Sequence, residues 1–249
     1  MTVTDDPLYR DPGLASFYDL ENGWADDTYY CARLAEGARS VLDLGCGTGL
    51  LAAHLAVAGH EVTGVDPAGA MLDIARAREG GDRATFIEAD ARIVRLGRKF
   101  DLIVLTGHAY QVFLSDEDQK AVLATIALHL APAGRFIFDS RNPAVQEWLE
   151  WQADNSVRDI DHPQHGTVRA WNTAVFEESS GIVTYETHYV AEDSGIRWVA
   201  ASSIRFTEKD RLAALIADAG LAVHQWLGDW RGALATPSSR EFIPIGGLA

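Results

Sequence analysis

Three glycines and two aspartates carry the first chemical signal in this sequence. In VLDLGCGTGLLAAHLAVAGHEVTGVDPAGAML, Gly45, Gly47 and Gly49 stand at alternate positions between a short apolar run and an apolar helical stretch. Glycines there allow a sharp turn and let a ligand lie against bare backbone, beside the amide donors of a helix start. The spacing G-x-G-x-G is not the dinucleotide fingerprint, whose third glycine would fall at position 50, where Leu stands. Asp43, two residues before the first glycine, sits badly with a pyrophosphate and suits a ligand bearing positive charge. Asp66 ends the next strand-like run, 21 residues after Gly45. A carboxylate at such a strand end can accept both hydroxyls of a ribose.

Further chemistry-bearing residues follow at the ends of later apolar runs. Asp90 and Ala91 lie in EADA, Thr106 and His108 in TGHAYQVF, and Asp139, Arg141 and Asn142 in DSRNP. A neutral imidazole at position 108 can take a proton from a hydroxyl or ammonium group; it can equally contact substrate or hold its loop. Tyr110, with Gln111, is a second candidate for a pocket wall. Arg141 can pair with a carboxylate or phosphate, or make an ordinary surface ion pair. Cys46, inside the glycine loop, reads as a small filler, because no His or Asp is placed by sequence to activate it.

The glycine loop with Asp43 resembles motif I of the class I S-adenosylmethionine-dependent methyltransferases, and the resemblance spans roughly residues 15–145. It implies S-adenosylmethionine as cofactor, with Gly45, Gly47 and Gly49 around it. Asp66 would hold the ribose, Pro67 and Met71 would pack on adenine, and Asp90 with Ala91 would read the adenine edge. The segment Thr106-Gly107-His108 would run past the methionine part and the sulfonium. Tyr18, in SFYDLENGW, matches a tyrosine of a helix that folds over the cofactor and borders the methyl group. The implied reaction is in-line methyl displacement onto an O or N atom of a small molecule, with His108 as candidate base and Tyr110, Arg141 and Asn142 as substrate contacts. The C-terminal half resembles, more modestly, bacterial methyltransferases of amino sugars and glycine. The rivals are a methyltransferase of protein or tRNA, and a protein that binds S-adenosylmethionine without turnover. There is no [DN]-P-P-[YFW] segment of the amino-base enzymes. The family's metal-dependent branch needs acids at two strand ends, and only Asp139 fits, so no metal is expected.

These residues need a scaffold that brings several strand ends together. Val41–Leu44, His60–Val65, Ala84–Glu88, Asp101–Thr106 and Arg135–Asp139 read as buried strands, separated by helical spacing over Gly49–Ala58 and Ala70–Arg78 and after Ser115. Ser115 with Asp118 makes a helix start, Val122, Leu123, Ile126 and Leu130 a buried stripe, and Pro132 with Gly134 a stop. Strands alternating with helices predict right-handed crossovers around a parallel sheet. After Pro143 helical periodicity gives way to Val168–Glu177, Ile182–Val190 and Ile196–Phe206, joined through Gly181 and Gly195. These read as three antiparallel strands. A helix capped by Thr207 and Asp210, and strands Leu221–Leu227 and Glu241–Gly246, finish the chain.

The expected fold is therefore α/β: a Rossmann-like, seven-stranded, mostly parallel sheet with helices on both faces, plus a small antiparallel insert. Residues 1–145 would form the cap helix and cofactor half, 146–206 a substrate lid, and 207–249 the end of the core. Trp148, Trp151, Trp171 and Trp198 are candidates for the lid's apolar lining, whereas His162, His165 and His188 lack metal-ligand spacing.

Bulk properties limit the partners. With 47% hydrophobic and 23% charged residues the 249-residue chain has ordinary globular proportions. Asp and Glu outnumber Lys and Arg by 36 to 21, a net charge of −15, which argues against nucleic acid. The cluster Arg76, Arg78, Arg83, Arg92, Arg95, Arg98 and Lys99 reads as a solvated rim. Two cysteines cannot make a disulfide framework, and no run reaches the roughly 20 apolar residues of a bilayer span. The opening MTVTDDPLYR is not patterned as a secretory signal. A cytoplasmic monomer or homodimer acting on a small molecule is the expectation.

Overall fold

The central strand runs are buried on both faces because they feed two hydrophobic layers. In the computed structural model, which describes residues 7–249, β1 (Ser40–Leu44), β2 (Glu61–Asp66), β3 (Thr85–Glu88), β4 (Phe100–Leu105) and β5 (Leu130–Phe138) are mutually parallel. The first six residues, part of the opening read above, lie outside the described ones. Along β1 and β4, Leu42, Ile103 and Leu105 enter one core with Phe136 and Phe138, and Val41, Leu102 and Val104 enter the other with Ile137. Such two-sided burial is what crossover helices impose on a parallel sheet. Helix α7 (Asp116–His129) and α9 (Lys209–Asp218) cover the first face; α4 (Asp26–Leu34) and α5 (Leu50–Val57) cover the second.

Between these run α1 (Pro7–Arg10), α2 (Pro12–Ala15), α3 (Tyr18–Glu21) and α6 (Gly69–Ala77). After β5 come the two-residue β6 (Ser140–Arg141), α8 (Ala153–Ser156), and strands β7 (Arg158–His162), β8 (Gly166–Glu177), β9 (Ile182–Ala191) and β10 (Arg197–Arg205). The chain closes with β11 (Leu221–Leu227) and β12 (Glu241–Leu248). The main sheet has the order β11-β12-β5-β4-β1-β2-β3, with β12 antiparallel to both neighbours and β6 on its side. Strand order reverses between β1 and β4, and the crevice at that switch point is where open α/β sheets bind ligands.

The insert is a separate antiparallel sheet, β10-β9-β8-β7. It has four strands, not three. The missed one, RDIDH, is a short edge strand that buries only Ile160 and His162, too little for a periodic signal. Leu14 and Phe17 of the N-terminal cap pack into its core, with Phe17 stacked on Tyr189 at 4.2 Å. Cap and lid are thus one body over the sheet edge.

Two boundaries also differ from expectation. Helix α7 stops at His129 and β5 begins at Leu130, so Pro132 and Gly134 lie inside a strand. The register jumps there from Phe100↔Leu130 to Leu102↔Arg135, an irregularity that can hold a proline. Thr207 does not cap α9; its buried hydroxyl accepts from Gln119 Nε2 at 3.0 Å. Most of the basic cluster is paired, with Arg78 on Asp19, Arg92 on Asp90 and Asp118, and Arg98 on Glu61. No helix among the described residues is long and apolar enough to cross a membrane.

Candidate active site

A cavity of about 930 Å³ opens between the carboxyl ends of β1, β2 and β4 and the cap-and-lid body. That is at the upper end of the range for ligand pockets, enough for two ligands side by side. Asp43, Gly45, Gly47, Asp66, Pro67, Met71, Asp90, Ala91, Thr106, His108 and Tyr18 all line it, drawn from four strand ends and the cap.

The loop after β1 is shaped by left-handed backbone at Gly45, Gly47 and Gly49, with φ of 69°, 52° and 71°. Their uses differ. Gly47 faces the cavity, and a Cβ there would meet only the Tyr18 ring, at 3.8 Å. Gly49 is behind the wall, where a Cβ would stand 2.7 Å from Ala75 and 2.9 Å from Phe86. It lets α5 start close against α6 and β3, so it supports the loop rather than touching a ligand.

Asp66 is held by two amide donors, Gly47 N at 2.9 Å and Ala68 N at 2.8 Å. Burial nevertheless pushes its carboxyl up. Asp43 is only 3% exposed, and burial together with the nearby Asp66 charge pushes it up to about 7. Two acids at the floor of one cavity, one of them with its ionisation pushed up toward neutrality, fit a ligand that brings a cation and hydroxyl donors. Asp90 reaches the cavity already bound to Arg92 through Nε at 3.0 Å and the backbone N–H at 2.8 Å. Met71 is fully buried and forms the wall with Ala68 and Tyr18.

The cap places Tyr18 by latching both its flanks. Asp19 accepts from the Thr48 hydroxyl at 2.5 Å and pairs with Arg78, so it grips the glycine loop. Glu21 pairs with Arg158 and accepts from the Tyr189 hydroxyl, so it grips the lid. Burial and then the Asp66 charge push the Tyr18 phenol well up, so it is neutral.

At the end of β4, His108 adopts left-handed backbone, φ 60°, unusual for a residue with a side chain. Asp139 at the end of β5 accepts from its backbone N–H at 3.0 and 3.1 Å. Its Nε2 lies 2.7 Å from Glu241 Oε1 and 3.5 Å from Asp139 Oδ2. Burial pushes Asp139 upward, and the Glu241 charge adds to this. These three residues offer ligand atoms within 4.8 Å of one another, the donor set that would also suit a metal ion. Sequence reasoning found His108 and Asp139 but missed Glu241, which carries no local signal and reaches the site only because β12 inserts beside β5.

Other expectations are corrected. Tyr110 is fully buried and stacked on Phe138 at 4.4 Å in the core, because the turn after the left-handed His108 points it inward. Asn142 is buried beneath the 237–239 loop, accepting from Ala144 N at 3.0 Å and donating to Pro237 O and Ser239 O at 3.0 and 2.8 Å. Neither lines the cavity. Arg141 does, donating to Gln111 Oε1 at 3.0 Å and to Glu147 at 3.3 Å. Of the four lid tryptophans only Trp151 reaches the cavity; Trp148, Trp171 and Trp198 pack on Phe176, His188 and Phe17. Trp230, Tyr185 and Tyr189 complete the wall.

The chain is similar in sequence and fold to known proteins. Residues 41–134 match the family model described as "Methyltransferase domain". A cypemycin N-terminal methyltransferase from Streptomyces sp. is 29% identical over 83% of this chain and 82% of its own length. A dTDP-3-amino-3,4,6-trideoxy-alpha-D-glucopyranose N,N-dimethyltransferase from Streptomyces venezuelae is 30% identical, covering 64% of this chain and 63% of its own. The solved structure of the CcbJ methyltransferase from Streptomyces caelestis superposes with a TM-score of 0.79 at 21% identity, over 100% of this chain and 98% of that one.

Proposed function

We propose that this chain is an S-adenosylmethionine-dependent methyltransferase, and that it methylates a nitrogen of a small-molecule acceptor seated between the sheet edge and the lid. The match of residues 41–134 to the methyltransferase-domain model and the resemblance to relatives named as methyltransferases support this. The observation that carries this reading is the His108–Glu241–Asp139 trio on the cavity wall beside Tyr18.

The cofactor end follows from the two floor acids. Asp66, already oriented by the Gly47 and Ala68 amides, has lone pairs left for ribose hydroxyls. Asp43 supplies negative charge for the cationic amino-acid part. Met71 and Pro67 offer the adenine wall, Ala91 and the Arg92-bound Asp90 its edge, and Thr106 the methionine side. Bound S-adenosylmethionine supplies an electrophilic methyl group on a sulfonium. Catalysis then asks the protein mainly to position the acceptor and exclude water. Tyr18, latched on both sides, does the second.

An amine arrives in water mostly as its ammonium ion, which has no lone pair to attack with. In this reading His108 takes that proton. Its Nε2–H donates to Glu241, which fixes the tautomer and leaves Nδ1 as the atom that can accept. Asp139 holds the strained His108 backbone in place. We read the trio as a proton-handling unit rather than a cation site, since a cation would have to displace the 2.7 Å His108–Glu241 contact. The test is transfer of label from methyl-labelled S-adenosylmethionine into a metabolite extract. Label in small molecules at nitrogen is expected; label confined to oxygen, protein or RNA overturns the reading.

A further inference from the structure

We infer that the acceptor is a cationic amine carrying no phosphate group, so that a nucleotide-linked or phosphorylated amine is excluded from the acceptor end of the cavity. This rests on the methyl-transfer reading and names the substrate class of that site.

Charge is the argument. Among the described residues the cavity wall holds eight carboxylates and three arginines, with no lysine. Residues 1–6, MTVTDD, contain no basic side chain either. Phosphate recognition needs guanidinium forks or ammonium groups free to face the anion. Each arginine here is already engaged. Arg158 pairs with Glu21 and donates to Asn172 Oδ1 at 2.7 Å and Ser156 O at 3.1 Å. Arg141 is bound to Glu147 and Gln111, with its guanidinium 5.1 Å from the Trp151 ring centroid. Arg10 is spent at the cofactor end, donating to Pro67 O at 3.1 Å.

What remains toward the acceptor is negative and aromatic. Asp139 and Glu241 stand beside His108, and the aromatic side chains of Trp151, Tyr185 and Trp230 line the same wall. A diphosphate brought to this wall would meet two carboxylates with no uncommitted cation to offset them. An ammonium group meets the opposite: carboxylates to pair with, rings to lie against, and an imidazole that takes its proton.

Two readouts test this, one independent of turnover. Thymidine diphosphate is titrated into the protein loaded with S-adenosylhomocysteine, by calorimetry. The expected result is no binding tighter than about 1 mM, and a tighter constant overturns the proposal. Glu147→Gln, which strips Arg141 of its carboxylate, is expected to tighten that binding at least about tenfold; no gain removes charge pairing as the cause. Separately, a metabolite extract is split at neutral pH by cation and anion exchange and incubated with protein and methyl-labelled S-adenosylmethionine. Label is expected in the cation-retained pool at about tenfold or more over the anion-retained pool. Label in the anion pool overturns the phosphate-free class while leaving methyl transfer standing. Absence of label from every pool counts against methyl transfer itself, and the calorimetric result then decides the charge argument by itself.

Discussion

Nε2 of His108 lies 2.7 Å from Oε1 of Glu241, across 133 positions of chain. Nothing local joins them: one lies in the loop just after β4 and the other starts β12, and the antiparallel insertion of β12 beside β5 makes them neighbours. The consequence is testable by a double-mutant cycle. His108→Ala is expected to lower kcat by about 10²–10⁴-fold, the usual worth of a positioned base, with cofactor affinity unchanged. Glu241→Gln should lower kcat less, and the double variant should be no worse than His108→Ala. Additive losses would show that Glu241 acts without His108.

Asp66 carries the ribose in this reading. Asp66→Asn keeps the shape but removes the anion that the Gly47 and Ala68 amides point at. Binding of S-adenosylhomocysteine should weaken by about 1–3 kcal/mol, measured by calorimetry. Unchanged affinity would take Asp66 out of the site.

Cofactor binding should depend on pH through Asp43. Its carboxyl is pushed from 3.8 up to about 7 in the free folded protein. Between those values the folded state keeps a proton that the unfolded chain has lost. This group therefore makes the free protein less stable as pH rises through that window. A bound cation favours the anion, so affinity should rise with pH, by up to tenfold per unit, and level off above about 7. Titration calorimetry across neutrality reads both the slope and the proton released. A flat profile, or one falling with pH, would remove Asp43 as the counter-charge.

Chelation separates proton handling from metal assistance. If His108, Asp139 and Glu241 act as a proton relay, turnover after dialysis against EDTA should equal that of untreated enzyme. Loss of activity restored by one divalent ion would assign the trio as its ligands.

Tyr110→Phe should leave both kcat and KM unchanged. Its buried hydroxyl has no hydrogen-bond partner, so removing it should hold or raise the melting temperature. A fall in activity would return Tyr110 to the acceptor site.

The sequence by itself determined the cofactor half. The glycine spacing, Asp43 and Asp66 follow from local demands: a turn that requires left-handed backbone, and acids at or next to strand ends that must be buried. Such demands leave marks within a few positions, and the apolar runs of β1, β2 and β4 are equally local, because a strand buried on both faces has no polar side to blur it. Tertiary structure alone decided the acceptor half. Glu241, Trp230, Arg158 and Tyr189 reach the cavity because β12 pairs between β5 and β11, and because the lid sheet packs on Phe17 of the cap. It also took Tyr110 and Asn142 away, one into the core and one beneath a loop. Which side of a turn a residue faces is set by backbone angles such as the φ of 60° at His108, and no residue type announces that in advance.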